Sequence, residues 1–139
     1  MVAGDVRIDD HVTADDETEI VRGLLAFNEN WIGPSNEKPV KFVARDDKGV
    51  VGGLIGHTRW RWLYVAKLWV HERARGKGVG TQLLNAAEDL ARSRGCTDAS
   101  LDTFEYQARP FYEKLGYQLF GTLDGYPPGY RQFYLRKRL

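Results

Sequence analysis

A glycine-rich basic loop lies between an apolar run and an amphipathic segment of this chain. The glycine loop, Arg75-Gly-Lys-Gly-Val-Gly80, follows a run rich in aromatic and β-branched residues (60–70). After it, apolar residues recur at helical spacing from 79 to 91. This order predicts a strand, a loop and a helix whose first N–H groups are left uncovered by the glycines. We therefore expect a phosphate or pyrophosphate site. The alternative is a flexible, glycine-rich helix start that binds no ligand and whose Arg75 and Lys77 side chains face solvent.

The glycine loop departs from two other nucleotide-binding motifs. A Walker loop requires Lys followed by Ser or Thr, but here Gly78 follows Lys77. The dinucleotide-binding fingerprint requires a third glycine at the position of Thr81. These departures argue against a P-loop hydrolase and against a dinucleotide oxidoreductase.

The whole chain, residues 1–139, is expected to form one mixed α/β domain. Weak alternation predicts an edge strand over 5–12, and apolar residues spaced by three and four predict a helix that ends before Gly33. Later segments predict strands over 40–45, from 50, over 60–70, 97–104, 117–123 and 131–136, and helices over 78–94 and from about 107 to 116. The order β, α, β-β-β, α, β, α, β-β is typical of an α/β domain.

Composition and charge exclude several classes of protein. The chain has 20 Lys+Arg against 19 Asp+Glu, a net charge of +1, which is unlike a protein that coats nucleic acid. Cys96 is the single cysteine and the three histidines are scattered, so neither a disulfide nor a metal site is expected. No apolar run is long enough to span a membrane, and the first residues lack the apolar stretch of a signal peptide. We therefore expect a cytoplasmic protein without nucleic-acid, membrane or metal partners.

A second motif, Phe111-Tyr-Glu-Lys-Leu-Gly-Tyr117, begins 31 residues after Gly80. Together with the glycine loop it resembles the Gcn5-related N-acetyltransferase (GNAT) superfamily, which has an acetyl-coenzyme A pyrophosphate loop followed later by a tyrosine-bearing helix. The resemblance covers about residues 40–123. It implies a single domain with a mixed, mostly antiparallel sheet flanked by helices and a splayed pair of parallel strands. It also implies acetyl-coenzyme A as cofactor, and it allows a homodimer formed through the terminal strands.

The resemblance implies how the cofactor is held. The backbone of Leu68 and Val70 would pair with the pantetheine arm in the gap between the splayed strands, with the Val70 N–H near the thioester oxygen. The pyrophosphate would bind to the loop residues Arg75, Gly76, Lys77, Gly78, Val79 and Gly80. Where the family often has an asparagine that binds the cofactor, this chain has Glu105. Either that contact is missing or Gln107 replaces it.

Tyr112 matches the family's tyrosine, which implies a general acid that protonates the leaving thiolate. A phenol with an ordinary pKa of about 10 can protonate a thiolate whose parent thiol has a pKa of about 8.5–9. The alternative is a half-buried tyrosine whose hydroxyl bonds to backbone. For the general base, Asp102 is the first candidate and Glu29 the second, and a water chain to solvent is equally open.

The acyl acceptor is expected to lie against the first helix, the aromatic strand and the last turn. The candidate side chains are Asn28, Glu29, Trp31, Trp62, Tyr64 and Tyr126. Aromatic faces there would attract a cationic amine. We therefore predict an N-acetyltransferase that acts on a primary amine of a small molecule by direct attack through a tetrahedral intermediate. The alternatives are a peptide or protein amine as acceptor, and a non-catalytic acyl-coenzyme A sensor or binding module.

Overall fold

The computed structural model describes residues 4–139, which divide into two compact units after Ser35. The first unit contains helix α1 (Ala14–Ile32). A capping box starts this helix, because the Thr13 hydroxyl accepts from the Asp16 N–H and the Asp16 carboxylate accepts from the Thr13 N–H. Neither α1 nor any other helix within residues 4–139 has the length and apolar character needed to cross a membrane.

The edge strand predicted over residues 5–12 is wrong. The structure has turn and irregular backbone there. The Asp9 carboxylate accepts a hydrogen bond from the His11 N–H at 3.0 Å, which offers the backbone a local turn instead of a strand.

The second unit, Asn36–Leu139, is a six-stranded mixed sheet with two α-helices and a one-turn 3-10 helix, Glu72–Ala74. The strands run in the order β1-β2-β3-β4-β6-β5, and only β3 and β4 are parallel. Their bounds are β1 Lys38–Asp46, β2 Gly49–Arg59, β3 Trp62–Val70, β4 Asp98–Phe104, β5 Gln118–Asp124 and β6 Arg131–Arg138. Helix α2 (Val79–Ser93) joins β3 to β4, and the short helix α3 (Arg109–Lys114) joins β4 to β5. The expected α/β class, with a mostly antiparallel sheet and one parallel pair, is confirmed.

The long strand predicted over 60–70 begins two residues later than expected. Trp60 and Arg61 have φ of 44° and 65°, and they form a two-residue turn between Arg59 and Trp62, which pair with each other. Positive φ at both central residues is typical of the hairpin turn whose twist matches that of its strands.

The core lies on one face of the sheet. It consists of alternate side chains of the central strands packed against α2, α3 and Tyr117, which precedes β5; its members include Leu63, Val65, Leu84, Ala87, Ala99, Leu101, Tyr112, Tyr117, Phe133 and Leu135. Successive side chains of a strand point to opposite faces. Tyr64, Asp102 and Tyr134 therefore lie on the face away from this core.

Strands β3 and β4 separate halfway along their length. They pair from Trp62 with Asp98 to Val65 with Leu101 and no further, although both strands continue. At this point Ala66 is the extra residue of a β-bulge, since Val65 faces Gly56 of β2 and Lys67 faces the adjacent Ile55. Because a bulge bends its strand, the gap opens where the bulge lies. The expected splayed parallel pair is confirmed.

Candidate active site

The gap between β3 and β4 opens into a cleft of about 950 Å³. Its walls come from four segments: the second half of β3, the glycine loop with the first turn of α2, the end of β4, and α3 with the residues before it. Tyr112 and Asp102 both line this cleft, and so do Leu68, Val70 and five of the six glycine-loop residues. The structure thus brings the predicted catalytic and cofactor-binding residues to one place, except for Lys77.

One end of the cleft is suited to an anion. Gly76 and Gly78 have φ of 76° and 78°, and a Cβ on either would meet no atom within 4 Å. Glycine is therefore required there by backbone conformation and not by packing. Gly78 is the N-cap of α2 and makes no side-chain capping bond. The first N–H groups of a helix have no partner within it, so those of Val79 and Gly80 are available to a phosphate.

Gly80 is required for a different reason. A Cβ on Gly80 would lie 3.2 Å from Cζ of Phe111 and 3.7 Å from Cγ2 of Val70. The start of α2 therefore approaches both α3 and the end of β3 closely, which narrows the cleft at this point.

The two charged residues of the glycine loop have different surroundings. Nε of Arg75 donates a hydrogen bond to the Val70 carbonyl at 3.0 Å, which ties the loop to the end of β3. Lys77 lines a second cavity of about 480 Å³, bounded by β1, β2 and the first half of α2. Of the two side chains, only that of Arg75 stands at the cleft.

The backbone of β3 presents unpaired polar groups to the cleft. The His71 N–H donates to the Val51 carbonyl of β2 at 2.7 Å. Polar backbone groups alternate between the two edges of a strand, so Trp69 also points its groups at β2. Leu68 and Val70 therefore direct theirs into the gap, where β4 does not pair with them. The Val70 carbonyl is taken by Arg75, which leaves the Val70 N–H and both groups of Leu68 for a ligand.

Tyr112 offers its hydroxyl to the cleft. The residue is only 7% exposed, and burial together with the negative charge of Asp102 raises the pKa of its phenol to about 12. Within residues 4–139, the Tyr112 hydroxyl makes no hydrogen bond, to backbone or to side chain. The hydroxyls of Tyr64, Tyr117 and Tyr134, by contrast, each donate to a side chain. Of these four tyrosines, Tyr112 is the one whose hydroxyl is open to a ligand.

Asp102 is held by two donors. Its Oδ2 accepts from the Tyr64 hydroxyl at 2.8 Å, and its Oδ1 accepts from Nε2 of Gln132 at 3.0 Å. Burial, followed by the hydrogen bond to Asp102 and its charge, raises the pKa of Tyr64 to about 12. The hydroxyl of Tyr64, predicted to bind the acceptor, is thus engaged with Asp102.

Glu105, which occupies the family's asparagine position, is directed to a surface ion pair. Its carboxylate accepts from Nη2 of Arg131 at 2.8 Å, and this bond lowers the pKa of the Glu105 carboxyl below its ordinary value. Gln107 lines the cleft instead. Its Oε1 accepts from the Phe104 N–H at 2.7 Å and from the Thr103 hydroxyl at 3.1 Å, so its NH₂ group is left to donate.

The predicted acceptor residues are distributed between the two units. Asn28, Glu29 and Trp31 belong to the second half of α1, and their role stays a prediction. In the second unit, Trp62 carries the Arg136 guanidinium 4.9 Å above its ring, and Tyr126 packs edge-on against Phe104 at 5.5 Å. Neither they nor Tyr64 line the cleft itself.

Several residues of the site were not identified from the sequence. The cleft is also lined by Ala66, Thr81, Thr103, Tyr106 and Phe111. Gln132 and Tyr134 reach Asp102 because β6 pairs with β4, with Tyr134 opposite Asp102. Alternation within β6 places both side chains on one face, but the pairing itself is set by the fold.

Comparisons with known proteins point to one family. A model of the acetyltransferase (GNAT) family matches residues 8–117. The chain is 39% identical over 132 residues to acetyltransferase Atu2258 of Agrobacterium fabrum, covering 94% of this chain and 96% of that protein. It is 43% identical over 91 residues to blasticidin-S acetyltransferase of Streptomyces morookaense, covering 65% of this chain and 67% of that protein.

A solved structure extends the agreement to the whole fold. The crystal structure of an acetyltransferase from Bacillus cereus superposes with a TM-score of 0.86 at 30% identity, covering 96% of this chain and 98% of that one. The family model matches most of the chain, and the resemblance seen in its two motifs is thereby confirmed. The chain belongs to the acetyltransferase (GNAT) family.

Proposed function

We propose that this protein transfers the acetyl group of acetyl-coenzyme A to a primary amine of a small molecule. Acetyltransferases of this family bind acetyl-coenzyme A. The observation that carries the proposal is the cleft, which combines an uncapped helix start, an unpaired strand edge and an unbonded phenol. These three features match the diphosphate, the amide-bearing arm and the sulfur of one thioester cofactor.

The cofactor would lie along β3 like an added strand. Its diphosphate would accept hydrogen bonds from the N–H groups of Val79 and Gly80, where the helix dipole also favours negative charge. Its pantetheine amides would pair with the free groups of Leu68 and Val70. On the opposite wall, the NH₂ group of Gln107 would donate to the arm, in place of the asparagine that this chain lacks.

The thioester would lie at the level of the bulge. Val65 pairs with Leu101, so Ala66 and Asp102 are the next residues on the two sides of the opening gap, and Asp102 is close enough to Tyr112 for its charge to raise the pKa of that phenol. Leu68 is two residues nearer to this level than Val70, about 7 Å along the strand. We therefore assign the stabilisation of the oxyanion to the Leu68 N–H instead of the Val70 N–H, which lies beside the glycine loop.

Catalysis would proceed by direct attack of the amine on the thioester carbonyl. The tetrahedral intermediate would place its oxyanion on the Leu68 N–H, a preorganised donor of the kind whose loss typically costs about 10²–10³ in rate. The C–S bond then breaks and sulfur leaves as a thiolate beside the Tyr112 hydroxyl. Asp102 is our candidate to accept the proton of the amine, and a water chain to solvent is the alternative; Glu29 stays a prediction from the sequence.

One relative supports a small-molecule acceptor, since a protein 43% identical over 91 residues is a blasticidin-S acetyltransferase. Around the acceptor we propose Trp62 and Tyr126 of the second unit. The roles of Asn28, Glu29 and Trp31 stay predictions from the sequence. We also propose a cytoplasmic location, with which the buried free thiol of Cys96 is compatible.

A coenzyme A release assay over a panel of small amines tests this proposal. Thermal stabilisation by acetyl-coenzyme A should be measured beside it, because a ligand at 100 times its Kd adds about 2.7 kcal/mol to the stability. Stabilisation with turnover on at least one small amine is expected. Stabilisation without turnover on any amine or peptide would identify a binding module instead, and turnover on peptides alone would contradict the acceptor class.

A further inference from the structure

Four polar side chains form a chain of hydrogen bonds that ends at the cleft. The Tyr134 hydroxyl donates to Oε1 of Gln132 at 2.7 Å, and Nε2 of Gln132 donates to Oδ1 of Asp102 at 3.0 Å. On the other side, the Tyr64 hydroxyl donates to Oδ2 of Asp102 at 2.8 Å. The four residues come from three adjacent strands, and of the four only Asp102 lines the cleft.

Tyr134 and Asp102 together hold the Gln132 amide in one orientation. A glutamine amide has an oxygen that accepts and a nitrogen that donates, and the two can exchange by a flip of the side chain. In the structure the nitrogen donates to the carboxylate, and the Tyr134 hydroxyl donates to the oxygen at the other end of the amide. A flipped amide would place its oxygen against the Asp102 carboxylate, two acceptors with no proton between them.

The bond from Tyr64 to Asp102 lies where the sheet opens. Tyr64 pairs with Ser100 near the end of the β3–β4 ladder, and Asp102 is the first residue of β4 beyond it. Backbone hydrogen bonds therefore no longer fix the position of Asp102 on this side. The Tyr64 hydroxyl supplies a side-chain contact across the start of the gap.

Both carboxylate oxygens of Asp102 remain able to accept further hydrogen bonds. An ionised carboxylate has about four lone-pair sites, and the donors from Tyr64 and Gln132 use two of them. An amine that arrives as –NH₃⁺ is attracted to such a fixed negative charge. The two donors are neutral, so they orient the carboxylate without cancelling its charge.

We propose that Tyr64 and Gln132 are positioning residues that hold the Asp102 carboxylate toward the acceptor, that Tyr134 fixes Gln132, and that Asp102 binds the acceptor ammonium and takes its proton. This inference rests on the proposed acetyltransferase function. The nitrogen gives one proton to Asp102 before attack and a second after the C–N bond has formed. Asp102 passes each proton to water, and the electron pair of the C–S bond leaves with the thiolate.

The groups around Asp102 come from three elements. Tyr64 of β3, Gln132 and Tyr134 of β6, and the phenol of Tyr112 are the groups that the structure places toward it. Loss of one donor leaves the carboxylate free to rotate away from the acceptor. The reaction with the amine should therefore weaken, while the contacts with the cofactor stay as they are.

The test compares Tyr64→Phe, Gln132→Met and Tyr134→Phe with the control Tyr130→Phe, since Tyr130 is an exposed residue outside the cleft. Tyr64→Phe and Gln132→Met each remove one donor without adding a charge, and each should lose about tenfold in kcat/KM for the amine, with a smaller loss in Tyr134→Phe. The KM for acetyl-coenzyme A should stay within about twofold, because the donors touch Asp102 and not the cofactor. A kcat/KM for the amine that equals that of Tyr130→Phe in all three variants would overturn the proposal.

A second measurement separates this proposal from the proposed function. Carbon-13 NMR at one fixed pH can observe the carboxylate carbon of Asp102 in the cofactor-bound protein without turnover. Its resonance should shift in Tyr64→Phe and in Gln132→Met, each of which removes a hydrogen bond to the carboxylate, and it should stay in place in Tyr130→Phe. If the protein acetylates no amine, the acetyltransferase assignment fails, while an unshifted resonance in the first two variants overturns the positioning role.

Discussion

Replacement of Tyr112 by Phe should slow the reaction by a factor that the surroundings of the phenol determine. Its pKa of about 12 lies about three units above that of a thiol, so complete proton transfer to the thiolate is uphill by about 4 kcal/mol. A hydrogen bond donated to the charged sulfur is the more favourable role, and bonds to charged groups contribute about 1.5–3 kcal/mol. We therefore expect Tyr112→Phe to lower kcat about 10- to 150-fold.

The measurement is steady-state coenzyme A release at saturating acetyl-coenzyme A, with Tyr117→Phe as the matched control. Both variants remove one hydroxyl from a buried tyrosine, but Tyr117 donates to Glu88 at 2.8 Å whereas Tyr112 makes no such bond within residues 4–139. Tyr112→Phe should keep its melting temperature, and Tyr117→Phe should keep its kcat. A kcat within twofold of wild type would refute a role for the Tyr112 hydroxyl. A loss above about 10⁴-fold would refute the donor role and require full general-acid transfer.

Three further predictions concern pH, the glycine loop and the core. The Tyr112 phenol is about 1% ionised at pH 10, so kcat should not fall between pH 7 and 10; a basic limb there that Tyr112→Phe abolishes would contradict this. Gly78→Ala places a residue with a Cβ at a backbone φ of 78°, which should lower the free energy of unfolding by about 1–2 kcal/mol. The same variant should bind acetyl-coenzyme A more weakly in calorimetric titration. Tyr117→Phe should lose about 1–3 kcal/mol in urea unfolding with an unchanged slope, because the Glu88 carboxylate loses a buried donor.

The sequence predicted what depends on local pattern. The bounds of α2 were expected at 78–94 and lie at Val79–Ser93, because a helix start rich in glycine and an amphipathic repeat are both local signals. The glycine loop was predicted in the same way. The prediction of an edge strand over 5–12 was wrong. It depended on a short alternation of two apolar residues, and the hydrogen bond from the His11 N–H to the Asp9 side chain stabilises a turn there instead.

What the sequence could not predict depends on contacts between distant strands. Gln132 can donate a hydrogen bond to Asp102 because β6 inserts between β4 and β5. Nothing in the sequence of residues 131–138 specifies that this strand pairs with β4. Glu105, at the position of the family's asparagine, could not be interpreted from the sequence without its partner. Its partner Arg131 is 26 residues away, and only the pairing of the two explains why a carboxylate can replace the family's asparagine without facing the cleft.

The cleft itself depends on the number of residues in β3 more than on their identity. Before the bulge, the odd-numbered Leu63 and Val65 face the core, and after it the even-numbered Leu68 and Val70 pack against the same core. Ala66 is the extra residue that shifts this parity. With it, the strand keeps its apolar side chains inward while its second half leaves β4 and turns free backbone groups into the gap. The unpaired edge of β3 arises because the strand has one extra residue, and it does not require any particular side chain. The apolar run of β3 therefore contains no pattern from which the bulge could have been predicted.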